Sequence, residues 1–179
     1  MNMFNNYTKT ENRLEKKFII QENNYINFKS YLATNFFKKS YPDRLVNSIY
    51  LDTLNLDDLR DNINGVKNRT KHRFRWYNNN FDSVQFEQKN KNNFYGWKYK
   101  CSAGTFSNEL ELIKNITNKN IYKKIIFLNK FNFTPILKVS YKRSYWISKN
   151  NKVRVTLDKN LITSQIYISK NNIKKKVYL

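Results

Sequence analysis

An α+β fold, with an antiparallel sheet of seven or so strands and helices set between them, is predicted by three features of this 179-residue chain. Segments with alternating polar and apolar residues follow one another across short turns. Stretches with apolar residues at helical spacing interrupt them. Thirteen Phe, 13 Tyr and 3 Trp supply the large apolar surface that such a sheet buries against helices. The length is that of a single domain with a real core.

Taken in order, residues 1–11 are polar and expected to be a flexible N-terminus. In RLEKKFII at 13–20, Arg13, Glu15 and Lys17 alternate with Leu14 and Phe18, with Lys16 breaking the apolar side, and a strand is expected. From Glu22 to Phe37 the period changes: Tyr25, Phe28, Leu32 and Phe36 predict an amphipathic helix. VNSIYL at 46–51 is β-rich, and LNLDDLRDNIN reads as a short helix closed by Gly65.

A hairpin and a third strand come next. Lys67, Arg69, Lys71, Arg73 and Arg75 alternate with Asn68, Thr70, His72 and Phe74, running up to Trp76. After the turn NNN at 78–80, Gln85, Glu87, Lys89 and Lys91 oppose Val84 and Phe86. Beyond Gly96, Lys98 and Lys100 alternate with Trp97, Tyr99 and Cys101. Residues 108–129 hold a helical stretch with Ile121, Ile125, Ile126 and Leu128 as its apolar stripe. Strands at 136–147 and 152–158, joined by KNN, complete the pattern. With no repeat or linker, 12–179 is expected to be one domain.

The stripe at 67–75 carries the functional information. Strand side chains alternate between faces, so all five cations share one. Burying unpaired cations costs several kcal/mol or more each. The stripe therefore lies in open solvent, binds a nucleic-acid backbone, or lines a cavity that takes phosphates. The formal charge of +21, from 34 Lys and Arg against 13 Asp and Glu, suits any polyanion. In a half-exposed sheet the charged face meets water, whereas in a small barrel it faces the lumen and helices cover the aromatic outer face.

Other chemistries are excluded or left without support. One cysteine, Cys101, rules out an intramolecular disulfide and a Cys-rich zinc site. One histidine, His72, rules out metalloprotease-type His pairs and sits opposite the stripe, where packing or surface exposure is expected. No segment has the roughly 20 apolar residues of a membrane helix, and the first residues lack a signal peptide's apolar core. A cytoplasmic location is expected.

RLEKKF at 13–18, VNSIYLDT at 46–53, RFRWY at 73–77, the E-x-K of Glu87 and Lys89, YKR at 141–143 and VRVTLD at 153–158 occur in the order seen in VTC domains. The chain thus resembles, over about residues 13–160, the catalytic domains of vacuolar-transporter-chaperone-type polyphosphate polymerases. These belong to the triphosphate tunnel metalloenzymes, the CYTH-like superfamily. The resemblance implies an antiparallel β-barrel tunnel of about eight strands with flanking helices. It also implies phosphoryl transfer from ATP to a polyphosphate chain with Mn²⁺ or Mg²⁺ as cofactor.

Residue by residue, Arg73 and Arg75 match the R-x-R pair that grips triphosphate, as suits arginine's planar fork. With Lys89, Arg143 of Y-x-R and Arg154 of the V-R motif they form the implied catalytic set. Lys17, Lys98, Arg69, Lys71 and Lys100 are the further phosphate ligands, while Lys67 is placed outside on solvent. Glu15, Glu87 and Asp158 are the implied metal ligands, although Glu15 and Glu87 would equally hold lysines in place. By alternation Arg143 and Tyr141 fall with Val139 and Leu137, away from the polar Lys138, Ser140 and Lys142, so a bulge or strand end is needed to turn them inward. Trp76, Tyr77, Trp97 and Tyr99 are read as covering core rather than as base-stacking platforms. The family's further E-x-K strand after L-D has no match, which implies a tunnel incomplete at its C-terminus. A triphosphatase of the same fold, and a non-catalytic binder of polyphosphate or nucleic acid, are the alternatives.

Overall fold

In the computed structural model, which describes residues 7–10, 12–123, 125, 128, 132–169 and 172–178, the alternating stretch at 68–104 forms three consecutive antiparallel strands. They are β4 (Asn68–Tyr77), β5 (Asn80–Asn92) and β6 (Tyr95–Gly104). β3 (Phe37–Asp52) pairs with β4, and β7 (Thr134–Ser148), β8 (Arg154–Ser169) and β9 (Asn172–Tyr178) follow outward from β3. On the other side, the two-residue strands β1 (Thr8–Lys9) and β2 (Arg13–Leu14) both pair with β6. The described residues thus make one antiparallel sheet of seven long and two very short strands.

One face of this sheet is apolar and covered. Ile49 and Leu51 of β3, Phe74 and Trp76 of β4, Val84 and Phe86 of β5, and Cys101 and Ala103 of β6 meet Leu112, Ile113 and Ile116 of α3 (Glu109–Thr117). The turn at Asn120–Lys123 adds Ile121 and Tyr122. Burial of each large side chain stabilises the fold by about 1.5–3 kcal/mol. At the other end, α1 (Tyr25–Thr34) seats Leu32 against Trp146 and Leu157, with Tyr25, Phe28 and Val155 around them. α2 (Asp57–Ile63) is held at its start by Asp52, whose carboxylate accepts from the backbone N–H groups of Asp58 and Leu59.

The sheet curls. Tyr7, beside β1, and Ile173, in β9, lie at opposite edges yet both pack against the main core. Glu15, just past β2, feels the charges of Lys89 on β5 and Arg143 on β7, strands three places apart in the sheet order. Among the described residues no ladder joins β9 to β1 or β2, so the barrel is partial.

Several elements depart from the sequence reading. Only Arg13 and Leu14 of 13–20 join the sheet; beyond them Phe18 and Ile19 are exposed, and Ile20 packs against the Leu32, Trp146 and Leu157 cluster. The helix expected at 22–37 starts as a single 3₁₀ turn at Glu22–Asn24. α1 ends at Thr34 because Phe36 turns left-handed, with φ of 61°, to let β3 start. β3 begins nine residues before VNSIYL, hidden by register shifts around Tyr41 and Pro42 that break the period of two. The stretch at 108–129 is not one helix: α3 stops at Thr117 and Lys119 adopts φ of 56°. Ile126 lies outside the described residues. β8 outruns the expected 152–158 by passing through a bulge at Asn160, φ 55°, and β9 is a strand that alternation did not reveal.

Candidate functional site

Opposite the covered face, period two and strand register stack the charged residues into rows. Lys71, Lys89 and Lys98 are direct neighbours across β4, β5 and β6. Tyr50, Arg73, Glu87 and Lys100 form the next row, and Ser48, Arg75, Gln85 and Ser102 the one after. Like charges directly opposite are destabilising in a sheet, and the carboxylates answer this.

Glu87 sits at the centre, 2% exposed. Arg73 donates to its Oε2 through Nε at 2.9 Å and Nη2 at 2.5 Å, while Lys98 Nζ donates to Oε1 at 3.0 Å. Arg75 Nη1 and Lys100 Nζ lie 3.7 and 3.8 Å from the same carboxylate. Burial alone would raise its pKa, but Arg73, then Arg75 and Lys98, hold it far below the usual carboxylate range. Lys98 is pushed down to about 8, by burial first and by Lys100 and Arg73 beside it, against the pull of Glu87. Arg73 goes the other way: burial opposes its charge, yet Glu87 raises its pKa further. One carboxylate among four cations keeps them ordered and leaves the group strongly positive.

The arginines are braced on their far sides. Arg73 Nη1 donates to Tyr50 Oη at 3.1 Å. Burial works against ionisation of that phenol, but Arg73 outweighs it and lowers the Tyr50 pKa. Arg75, 5% exposed, donates through Nε to Ser48 Oγ at 3.1 Å and through Nη2 to Tyr141 Oη at 3.2 Å. Neither Ser48 nor Tyr50 stood out as a site residue in the sequence, because VNSIYL reads as an ordinary strand until its register against RFRWY is known.

Around this centre lie two further pairs. Lys89 Nζ donates to Glu15 Oε2 at 2.5 Å, and the Glu15 pKa is lowered because Lys89, helped by Lys17 and Arg143, overrides its partial burial. Arg143 donates through Nε and Nη2 to the two oxygens of Asp158, each at 2.6 Å. Although burial alone would weaken its charge, that double hydrogen bond raises the Arg143 pKa. Arg143 faces inward because 136–147 presents its less polar side to the cations. Tyr141 reaches Arg75, whereas Lys138 pairs with Glu109 of α3 and Ser140 donates to Asn47. The parity conflict thus resolves without a bulge at Arg143 itself; the register shift lies between Ser140 and Lys142.

The remaining predicted residues are less gathered. Lys71 shares the basic face and its pKa is lowered, chiefly by burial and also by Lys17 and Lys89. Arg69 turns Nη1 back to the carbonyl of Val66 at 2.7 Å. Arg154 opens β8 on the same face as Asp158 and is exposed, and Lys17 is exposed beyond β2. Lys67 precedes β4 and is exposed. His72 is buried on the covered face between Phe86 and Phe133, its Nδ1 2.7 Å from Asp58 Oδ2, so it stands apart from the cations. Trp76 is core, whereas Trp97 and Tyr99 are only half-buried, with Lys9 Nζ 5.8 Å from the Trp97 ring centroid.

Among the described residues no three of His, Cys, Asp and Glu gather closely enough to hold a metal ion. Mg²⁺ and Mn²⁺ in phosphoryl transfer need only one or two carboxylates, the substrate's oxygens completing the shell. Both oxygens of Glu87 and of Asp158 are engaged by cations. Glu15 gives one oxygen to Lys89 and has a side chain 52% exposed, so it is the carboxylate that fits such a role.

No helix among the described residues is long and apolar enough to cross a membrane. Comparison with curated proteins gave no match. The family model for the VTC domain matches residues 12–178, nearly the whole chain, in agreement with the rows of cations on the partial barrel. This chain belongs to the VTC domain family.

Proposed function

We propose that the basic face binds a linear phosphate chain and transfers the terminal phosphate of ATP to the end of a polyphosphate. The observation that carries this reading is the buried Glu87 surrounded by Arg73, Arg75, Lys98 and Lys100. A solvated stripe has no need of a buried organising carboxylate, and one carboxylate does not neutralise four cations. Cations already held in place need little reorganisation when phosphate oxygens arrive, which is how preorganised charge lowers a barrier.

In the transfer, the bond from the γ-phosphorus to its bridging oxygen breaks and ADP leaves with that electron pair. A terminal oxygen of the polyphosphate forms the new bond. That oxygen is already anionic, so no histidine is required as base, and the position of His72 off the face is consistent. Arg73 and Arg75 hold the reacting phosphate in line and neutralise its equatorial oxygens; Lys98, Lys100, Lys89 and Lys71 extend the grip to its neighbours. Glu15 would help hold Mn²⁺ or Mg²⁺, which when bound supplies further charge neutralisation on the phosphates. Water as acceptor would make the same site a triphosphatase.

Calorimetric titration with ATP and with short polyphosphate, with and without Mn²⁺, coupled to analysis of product chain length, tests the proposal. Stoichiometric binding with chain lengthening is expected. Release of phosphate without lengthening would assign hydrolysis instead. Arg75→Ala is expected to lose nearly all binding and Lys67→Ala little. Equal small losses at both would return the stripe to solvent or to diffuse nucleic-acid binding.

A further inference from the structure

Arg44 belongs to none of the motifs that the family resemblance rests on, yet it faces the same side of the sheet as the site. In register it lies opposite Arg143, which in turn pairs with Asp158. Its guanidinium carbon is 4.5 Å from the ring centroid of Tyr77, 4.8 Å from that of Tyr145 and 5.2 Å from that of Tyr41. Three rings on three strands thus hold one cation in place, and a guanidinium packed among them keeps its planar fork of donors oriented.

Its polar partners set it apart from the other inward arginines. Arg73 and Arg143 give Nε–H to a carboxylate and Arg75 gives it to Ser48. Arg44 has a buried Nε with no hydrogen-bond partner and no carboxylate within ion-pair distance among the described residues. An oriented guanidinium without a carboxylate is suited to an anion from outside. Tyr41 meets Tyr145 edge-on at 5.8 Å, and the guanidinium lies among the three rings, so a cation occupies the middle of the box.

The position is also informative. Ser48 is the β3 partner of Arg75, and Arg44 precedes it by four residues without a register shift, so the two arginines stand about 13 Å apart along the strands. The gap is bridged: Arg75 donates to Tyr141 Oη, and Arg143 lies 5.0 Å from the Tyr141 ring centroid. Beyond Arg44 the same face carries Lys38, opposite Ile147, which itself faces Arg154.

We propose that Arg44, fixed by Tyr41, Tyr77 and Tyr145, is a second phosphate-binding station at the far end of the basic face. A linear polyphosphate too long for the Arg73 and Arg75 centre alone would run past Arg143 to reach it. The inference rests on the phosphate reading above and adds the direction and length of the bound chain.

The test compares tripolyphosphate with long-chain polyphosphate on the same protein. Arg44→Gln is expected to weaken long-chain binding about tenfold, the worth of a charged hydrogen-bonded contact, while tripolyphosphate affinity stays within about twofold. Arg75→Ala should weaken both. Equal loss of the two ligands in Arg44→Gln, or loss of neither, overturns the station and leaves Arg44 a packing residue. If the unsubstituted protein binds neither ligand, the phosphate reading of the whole face falls with it. Should Arg44→Gln fail to fold, the Arg44 Nε–H resonance of the unsubstituted protein decides. It is expected to shift with long-chain polyphosphate and not with tripolyphosphate, and a signal unmoved by both overturns the proposal.

Discussion

Glu87 is where stability and the proposed phosphate binding meet at a single side chain. Removing one member of a buried ion network leaves the others uncompensated, which costs about 3–5 kcal/mol. Glu87→Gln should therefore lower the unfolding free energy measured in urea by that much, since Arg73, Arg75 and Lys98 would then face one another with no anion between them. A loss below about 1 kcal/mol, typical of an exposed pair, would show that water already screens the cluster. Lys98 gives a second prediction, with a sign that differs for folding and for binding. In the unfolded chain it keeps the ordinary lysine value of 10.5, and in the fold it is about 8. Between those values the unfolded state binds the extra proton. Its unfavourable contribution to folding is thus full below about pH 8 and is relieved as pH rises toward 10.5. Phosphate needs the charged form, so tripolyphosphate affinity should fall as pH passes 8, and binding at that pH should take up a proton. Calorimetry in buffers of different ionisation enthalpy reads the uptake, and Lys98→Arg should abolish it. Binding with no uptake in the unsubstituted protein would place Lys98 out of the anion's reach.

Among the elements, α3 shows how local chemistry supports the sheet without touching the site. Asn108 caps it by accepting from the backbone N–H of Glu111, and Glu111 accepts in turn from the N–H and hydroxyl of Ser107. Asn108→Ala should cost about 1 kcal/mol in a denaturant titration and leave phosphate affinity unchanged; a change in affinity would mean that α3 helps shape the basic face. The elements also divide by how legible they were. Strands β4, β5 and β6 are legible because each has one apolar face on the core and one charged face, so the period of two is clean and alone sets Arg73, Arg75, Glu87, Lys98 and Lys100 on one side. β7 was ambiguous because its inward face carries Leu137, Val139 and Tyr141 while its outward face carries Lys138, the partner of Glu109. The first half of β3, with Arg44, was illegible: two register shifts around Pro42 erase alternation, and what the three tyrosines surround depends on pairing among β3, β4 and β7. Tyr50 and Ser48 were likewise invisible, since only register sets them beside Arg73 and Arg75.

At the scale of the whole molecule the question is whether +21 acts as a diffuse field or as a focused site. A diffuse field attracts any polyanion, shares the load over many lysines and fades steeply with salt. A focused site binds a short phosphate chain through a few ordered donors and keeps much of its affinity when salt screens the rest. Thermal stability separates the two. A ligand that binds only the folded state stabilises it by about 2.7 kcal/mol at a hundred times its dissociation constant, whereas simple salt relieves self-repulsion only by screening. Saturating tripolyphosphate should therefore raise Tm well above the shift given by sodium chloride at matched ionic strength. Arg75→Ala should erase that excess while keeping the salt response, because it removes one donor from the centre and only one charge from the total. Duplex DNA of equal charge concentration should give a smaller shift that vanishes at high salt. Equal shifts from tripolyphosphate and sodium chloride would mean that the rows on β4, β5 and β6 act as a solvated patch, and the buried Glu87 would then be a structural pin and nothing more.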